Sequence, residues 1–413
     1  MPADQTINRY LDGVIEPRLR VLGRARSSFL VCGLTGLGLA VALGVGLTVY
    51  RGLSLWVLGA AVLAAVATFL ALAMLMKILV GEERLIYYHH EVAILAAVTL
   101  MLVLIGQPVL PYLDVTLLGV GTFLFCGRVG CFMVGCCHGR PCHLGVCYRR
   151  EHADAGFSSC FVGTRLFPIQ LAESAWVFAT VLGGVGLVLR GAAPGEALAW
   201  YVVVYDIGRF ALEFYRGDTR PYRGGFSEGQ WTSLLLMLVV VGAELGGAVP
   251  FHAWHLAATA GLVLTMIVVT LHRRLGHDAR HRLLSARHIR EVAEAVDLLA
   301  RVGSEAASPG DRGRVVNVAS TSAGLRISAG RVQEGEGEVR HYTLSAADAA
   351  LSAADARVLA DLLLQLRHQG EPGEVVQGHE GVFHLLVHPP IALSGASLQA
   401  FETGDALLEA SVT

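Results

Sequence analysis

Seventeen residues, Cys126-Gly127-Arg128-Val129-Gly130-Cys131-Phe132-Met133-Val134-Gly135-Cys136-Cys137-His138-Gly139-Arg140-Pro141-Cys142, hold five cysteines, two arginines and four glycines. They follow directly on an apolar run. A guanidinium fork binds phosphate or carboxylate through parallel N–H bonds. Beside hydrocarbon its charge is expensive, so it faces a polar cavity or a partner. Glycine lets backbone turn sharply or approach a ligand closely. These residue types in this spacing point to an anionic group handled at a membrane boundary.

The thiols allow several chemistries. Seven of the eight cysteines lie between Cys126 and Cys160, clustered rather than spread as a disulfide framework. They can be small buried hydrophobes, a disulfide such as Cys142 with Cys160, or a reactive thiol such as Cys131 or Cys136 beside Arg128. A metal site of Cys131, Cys136, Cys137 and His138 is the fourth reading, although its spacing differs from the usual C-x2-C knuckle. The choice of arginine itself says little, because Lys77 is the only lysine in the chain.

The elements that position this segment follow from composition. The 413 residues are 54% hydrophobic and 16% charged, which excludes an ordinary soluble protein. Net charge is near neutral and implies no nucleic-acid partner. Eight apolar runs, 29–50, 54–77, 91–108, 112–134, 168–190, 196–215, 231–248 and 253–272, are candidate spans of a bilayer core of ~30 Å. Glu244 and several glycines make the seventh the least regular. The long connections 78–90, 135–167 and 216–230 alternate with short ones, so they share a membrane face and converge on one site. The expected fold is an all-α polytopic membrane protein of seven to eight transmembrane helices, with a small C-terminal α+β soluble domain.

Residues 1–28 read as a polar N-terminal segment carrying Arg18, Arg20, Arg24 and Arg26, with the first span retained as an anchor rather than cleaved as a signal peptide. Residues 29–273 form the membrane domain and 274–312 a helical linker, with an amphipathic helix over 285–301 and turn residues Pro309, Gly310 and Gly313. The histidine-rich stretch 272–288 reads as a solvated helix facing lipid headgroups. Residues 313–413 read as the α+β domain, with strands in 315–327, 339–344 and 375–387, a helix over 352–368, and a regulatory or interaction role.

Four patterns, in order, resemble the bacterial prolipoprotein diacylglyceryl transferase family. They are Gly127-Arg128-Val129-Gly130-x-Phe132 with Gly139-Arg140-Pro141; Pro168-Ile169-Gln170-Leu171-Ala172-Glu173; Tyr205 to Asp218 with its Arg209-Phe210 and Glu213-Phe214 pairs; and Ser227-Glu228-Gly229-Gln230-Trp231. Tyr87-Tyr88-His89 falls where that family has Ser-Phe-His. The similarity covers roughly residues 30–250. It implies transfer of a diacylglyceryl group from phosphatidylglycerol to the lipobox cysteine thiol beside a prolipoprotein signal peptide. The implied setting is the lipid bilayer of the bacterial inner membrane, without cofactor or metal. By that resemblance His89, Arg128 and Arg209 are catalytic. Gly127, Gly130, Gly139, Arg140, Gln170, Glu173, Glu213 and Arg216 bind substrate. Glu213, one helical turn after Arg209, is placed to pair with it.

The chain departs from the family pattern where Cys131, Val134 and Cys136 replace two asparagines and a glutamate, and where Phe167 and Ala172 replace a histidine and a tyrosine. The alternative reading is a family-derived membrane protein that binds phospholipid or metal, or does thiol redox work, without lipid transfer. Basic residues before the first run and after the last place both termini in the cytoplasm, whereas the resemblance places the site at the extracytoplasmic face.

Overall fold

The computed structural model describes residues 3–80, 87–275, 280–305, 317–334, 337–347 and 350–388. They divide into two compact units, Met1–His281 with Ser285–Arg287, and Arg282–Leu284 with His288–Thr413.

The polar N-terminal segment is folded, as an amphipathic helix α1 (Ala3–Val14) and a hairpin of β1 (Arg18–Val21) and β2 (Arg24–Ser27). The apolar runs then give α2 (Ser28–Tyr50), α3 (Leu55–Val80), α4 (Tyr87–Leu104) and α5 (Val109–Val134). A polar connection follows, with β3 (Pro141–Cys147), α6 (Arg150–Ala153), a single 3-10 turn (Ser159–Phe161) and β4 (Arg165–Leu166). Next come α7 (Ile169–Leu189) and α8 (Glu196–Leu212), a second 3-10 turn (Glu213–Tyr215), and a hairpin of β5 (Tyr222–Arg223) and β6 (Phe226–Ser227). The helices α9 (Glu228–Leu245) and α10 (Ala253–Leu275) complete this unit, and α11 (Arg280–Leu283) lies where the chain passes to the other.

Six of these helices, α2, α3, α5, α7, α9 and α10, are long and apolar enough to cross a membrane, so the chain is a multi-pass membrane protein. The other two apolar runs also form helices, but α4 offers a shorter apolar stretch (Tyr88–Leu104) and α8 is 17 residues long with Asp206 and Arg209 inside it. Leu63, Leu100, Leu104, Leu235, Val239 and Leu264 leave large apolar side chains on the outside, as a lipid solvent requires.

Helix α5 is the hub. Small residues let α2 lie against it: a side chain at Gly36 would run into Cys126, and one at Gly130 would come within 3.1 Å of Cys32 and Phe29. Near the other end, the buried Asp114 carboxylate accepts hydrogen bonds from Gly195 N (2.9 Å) and Leu198 N (2.8 Å), closing the orphan N-terminus of α8. Glu244 is likewise accommodated, because its buried carboxylate shares a hydrogen bond with His255 Nδ1 of α10.

The second unit has an antiparallel five-stranded sheet in the order β10 (Gly373–Gln377), β11 (Val382–Val387), β9 (Gly337–Ala346), β8 (Leu325–Glu334), β7 (Val318–Ser320). Its helices are α12 (Ala286–Glu305) and α13 (Ala353–Arg367). Ile327, Leu344 and Leu385 on the strands are buried, as are Leu359, Leu363 and Leu366 of α13. Ser352 caps α13 by accepting from Asp355 N at 3.1 Å. One expectation is corrected here. His288, placed on a solvated histidine-rich helix, is buried, with Nδ1 2.7 Å from Leu283 O and Nε2 3.0 Å from Thr321 Oγ1. The turn residues Pro309, Gly310 and Gly313 lie outside the described residues, as do 81–86 of the first long connection.

Candidate active site

The site is built where α5, α7 and α8 end on one side. Ion pairs in a low-dielectric interior must be well partnered to persist, and here one carboxylate serves three cations. Glu173, one turn into α7, lies 3.0 Å from Arg128 of α5, 3.4 Å from Arg209 of α8 and 3.5 Å from Arg216 beyond α8. Tyr205 donates its hydroxyl to Glu173 Oε1 at 3.1 Å. Arg209 also pairs with Glu213 at 2.7 Å, the i,i+4 pair expected from the sequence. All these side chains are buried.

The network continues outward through residues the sequence reading had not assigned. Asp218 accepts from Arg216 Nε and from Arg220 Nε, each at 2.9 Å, and Arg220 reaches Glu213 at 3.4 Å. Burial alone would raise the Asp218 carboxyl, but Arg216 and Arg220 bring it down to about 2. The alternation Arg216-Gly-Asp218-Thr-Arg220 was the signal for this layer: an irregular segment that spaces opposite charges two apart. In direct ion pairs, then, the guanidiniums of Arg128, Arg209, Arg216 and Arg220 outnumber the carboxylates of Glu173, Glu213 and Asp218. The buried Arg128 Nε–H, moreover, has no hydrogen-bond partner among the described residues.

Two of the three long connections meet directly. Arg140 N donates to Tyr215 O (3.1 Å), Gly217 N to His138 O (2.9 Å), and Gly139 N to Phe167 O (3.2 Å). Gly139 and Arg216 form a β-bridge, and Arg140 Nε donates to Arg216 O at 3.3 Å. Any side chain at Gly139 would collide with the Phe167 carbonyl, so this glycine serves the approach of chain to chain. Gly130 does the same for α2. A side chain at Gly127, by contrast, would meet nothing within 4 Å. Gln170 donates to Cys136 O at 2.8 Å, tying the first turn of α7 to the end of α5.

The start of α4 splits its aromatic-histidine run. Tyr88 turns inward, its hydroxyl 2.7 Å from Ser233 Oγ and 3.3 Å from Asp206 Oδ1, with Arg209 6.0 Å from its ring centre. His89 is half-exposed on the other side, with Nε2 3.2 Å from Glu228 Oε1. Glu228 opens α9, whose capping box pairs Ser227 N with Gln230 Oε1 (3.0 Å) and Gln230 N with Ser227 Oγ (3.3 Å). The next residue, Gly229, packs on Glu213 and Arg209: a side chain there would sit 3.4 and 3.5 Å from them. His89 therefore stands at the rim of the arginine cluster, not among the guanidiniums.

The N-terminal helix also belongs to this side. Asn8 mimics a strand by donating to His143 O (2.9 Å) and accepting from Gly145 N (2.8 Å). Asp12 accepts from Cys147 N at 2.8 Å and pairs with Arg165 at 3.0 Å.

All eight cysteines are free thiols, which corrects the disulfide reading of Cys142 and Cys160; the Cys142 thiol instead donates to Leu144 O at 2.7 Å. Among the described residues the Sγ atoms of Cys131, Cys136 and Cys137 lie within 4.8 Å of one another. His138, the fourth donor considered, has Nδ1 2.9 Å from the Gly139 carbonyl.

Comparison with known proteins agrees with this geometry. Residues 52–245 match the family model for prolipoprotein diacylglyceryl transferase. The chain is similar to the phosphatidylglycerol–prolipoprotein diacylglyceryl transferase of Clostridium tetani, 30% identical over 131 residues covering 32% of this chain and 51% of that protein. It is also similar to phosphatidylglycerol–prolipoprotein diacylglyceryl transferase 2 of Clostridium perfringens, 29% identical over 132 residues covering 32% and 49% respectively. The chain thus spans about half the length of the curated relatives it matches. The arginine and carboxylate frame of the site, from Arg128 to Arg220, falls inside the segment that matches the prolipoprotein diacylglyceryl transferase family model, so the similarity of this chain to that family lies in its membrane unit.

Proposed function

We propose that the protein transfers the diacylglyceryl group of phosphatidylglycerol to the lipobox cysteine thiol of a prolipoprotein, forming a thioether and releasing glycerol phosphate. The observation that carries this reading is the unbalanced buried network. Four guanidiniums pair directly with three carboxylates, and the Arg128 Nε–H has no hydrogen-bond partner among the described residues, so the directly paired groups leave one positive charge unmatched. A phosphodiester matches it. As the thiolate sulfur bonds to the glyceryl carbon, the carbon–oxygen bond breaks and its electron pair passes to the departing glycerol phosphate. Preorganised guanidiniums stabilise that charge most where water is excluded. Arg128 and Arg209 act directly, and Glu173 and Glu213 fix their forks. Arg140, Arg216 and Gln170 hold the connection that walls the site.

His89 takes the proton of the acceptor thiol, with Glu228 orienting its imidazole. Its place at the rim suits an acceptor arriving from water while the lipid enters from the bilayer, and the open position at Gly127 adjoins the donor. In this reading all eight apolar helices cross a bacterial inner membrane, the shorter α4 and α8 among them. The alternation of connections then keeps the 135–167 and 213–227 segments on one face, and residues 29–273 act as the catalytic domain with residues 313–413 as a regulatory or interaction module.

Complementation of cells depleted of their own transferase tests the proposal. Restored lipoprotein maturation, abolished by Arg209→Ala at equal membrane abundance, is the expected result. Failure of the inserted wild-type chain to restore it would refute the transferase reading.

A further inference from the structure

We propose that Cys131, Cys136 and Cys137 form a three-thiolate site for a soft d10 metal ion, with cuprous ion the best match. The site goes beyond lipid transfer and does not depend on it.

The argument starts from backbone geometry. Cys131 lies in the last turn of α5, and residues 131 and 136 of a continued helix would stand well apart around its axis. The helix does not continue. Gly135 adopts φ +85° and its N–H closes on Cys131 O at 2.9 Å, turning the chain back over the helix end. Cys137 then takes φ +55°, a left-handed conformation that glycine tolerates and a side chain resists by about 1–2 kcal/mol. Among the described residues only Leu22 and Cys137 do this without being glycine. Such strain persists where the surroundings fix it, and it gathers at ligand sites. Its effect here is to bring the third sulfur to the other two, all within 4.8 Å.

The spacing suits a metal. With metal–sulfur bonds of ~2.3 Å, three sulfurs around one ion stand ~3.8–4.0 Å apart. The thiols therefore need to close by no more than about 1 Å, within reach of side-chain rotation. None of the three is spent in a disulfide. Harder donors stand apart: among the described residues the mutually close ligand atoms are the three sulfurs alone, without His138, while Glu173 and Asp218 are held by arginines. A donor set of sulfur alone selects soft ions. Zinc prefers a fourth ligand in a structural site, whereas cuprous ion is satisfied by three. A cuprous ion with three thiolates carries two net negative charges, and the Arg128 and Arg216 guanidiniums both act on Cys137 from the protein side. Cys136 is exposed and Cys131 buried, giving an inner anchor and an access route for the ion.

The test uses the full chain purified in detergent under reductant, titrated with cuprous ion against a competing chelator, and with zinc in parallel. One copper per chain with three sulfur neighbours by X-ray absorption is expected, together with protection of the exposed Cys136 from alkylation. Cys131→Ser, Cys136→Ser and Cys137→Ser should each weaken binding by roughly 100-fold or more, the upper end of what loss of an outer-shell partner does. Cys142→Ser and Cys147→Ser should leave it unchanged. Absence of bound copper in the wild-type chain, or retention in Cys137→Ser, would overturn the site. Zinc bound as tightly as cuprous ion would overturn the choice of metal. The absorption and protection measurements on the wild-type chain decide the matter even where a serine variant fails to fold.

Discussion

Glu173 holds Arg128 at 3.0 Å across the contact of α7 with α5, and both side chains are nearly sealed from solvent. The same carboxylate reaches Arg209 and Arg216, so three segments of chain converge on two oxygen atoms. Neutralising it leaves three cations facing one another in a dry interior. Glu173→Gln is expected to destabilise the membrane unit by about 3–5 kcal/mol, the range for breaking a buried pair. Thermal unfolding in detergent measures this; an unchanged midpoint would contradict the keystone role.

Arginine and lysine should not be interchangeable at position 209. Its guanidinium spans Glu173 and Glu213 at once and lies near the Tyr88 ring, a geometry that a single ammonium cannot reproduce. Arg209→Lys is expected to lower lipid transfer by about 10²-fold, the scale for losing one preorganised donor, with the folded chain retained. Transfer from phosphatidylglycerol vesicles to a lipobox peptide, read as the mass added to the peptide, checks it. Near-normal turnover would show that charge alone suffices.

Two glycines of the same signature should behave in opposite ways. Gly139→Ala drives a methyl group into the Phe167 carbonyl and should destabilise by about 1–3 kcal/mol, as overpacking does. Gly127→Ala meets open space inside a helix and should leave the melting midpoint unchanged or raise it slightly. If Gly127 borders the lipid donor, the alanine will still raise KM for phosphatidylglycerol. Equal effects of the two substitutions on stability would refute the distinction.

Acid should loosen the outer layer before the inner one. Asp218 has its carboxyl lowered to about 2 from an ordinary 3.8 by Arg216 and Arg220 against the opposing effect of burial. A depressed folded-state pKa means stability that is fully present above about pH 4 and lost as pH falls toward 2. The contribution is about 1–2 kcal/mol after allowance for its partial exposure. In wild type the unfolding midpoint should therefore drop through this window. Asp218→Asn should begin lower and show a shallower drop. Parallel curves for the two proteins would remove Asp218 from the account.

Much of the membrane unit was legible because lipid imposes a simple code. Each of the eight apolar runs became a helix, and the pairing of Arg209 with Glu213 followed from helical spacing alone. Three features were hidden for physical reasons. Glu173 stands out in the sequence as a site residue, but only the convergence of α5, α7 and α8 makes it a shared partner of three arginines. Arg220 and Asp218 lie in an irregular segment without periodicity to project from. The folded state of residues 3–27 was concealed because α1 is polar and earns its place through side chains of Asn8 and Asp12 bonded to backbone more than a hundred positions later. His288 was misjudged by its company of charged neighbours; its burial depends on Thr321, which no local pattern supplies.

The docking of α1 on β3 has a consequence for how the chain is threaded. Asn8 and Asp12 are bonded to residues in the connection that follows α5, so the leading segment and the candidate active site occupy the same compartment. If acceptor thiols come from secreted precursors, that compartment is outside the cytoplasm. Arg18, Arg20, Arg24 and Arg26 must then be exported ahead of the first span, against the usual retention of positive charge. A reporter fused at the N-terminus thereby becomes a readout of which side of the membrane the arginine cluster lies on.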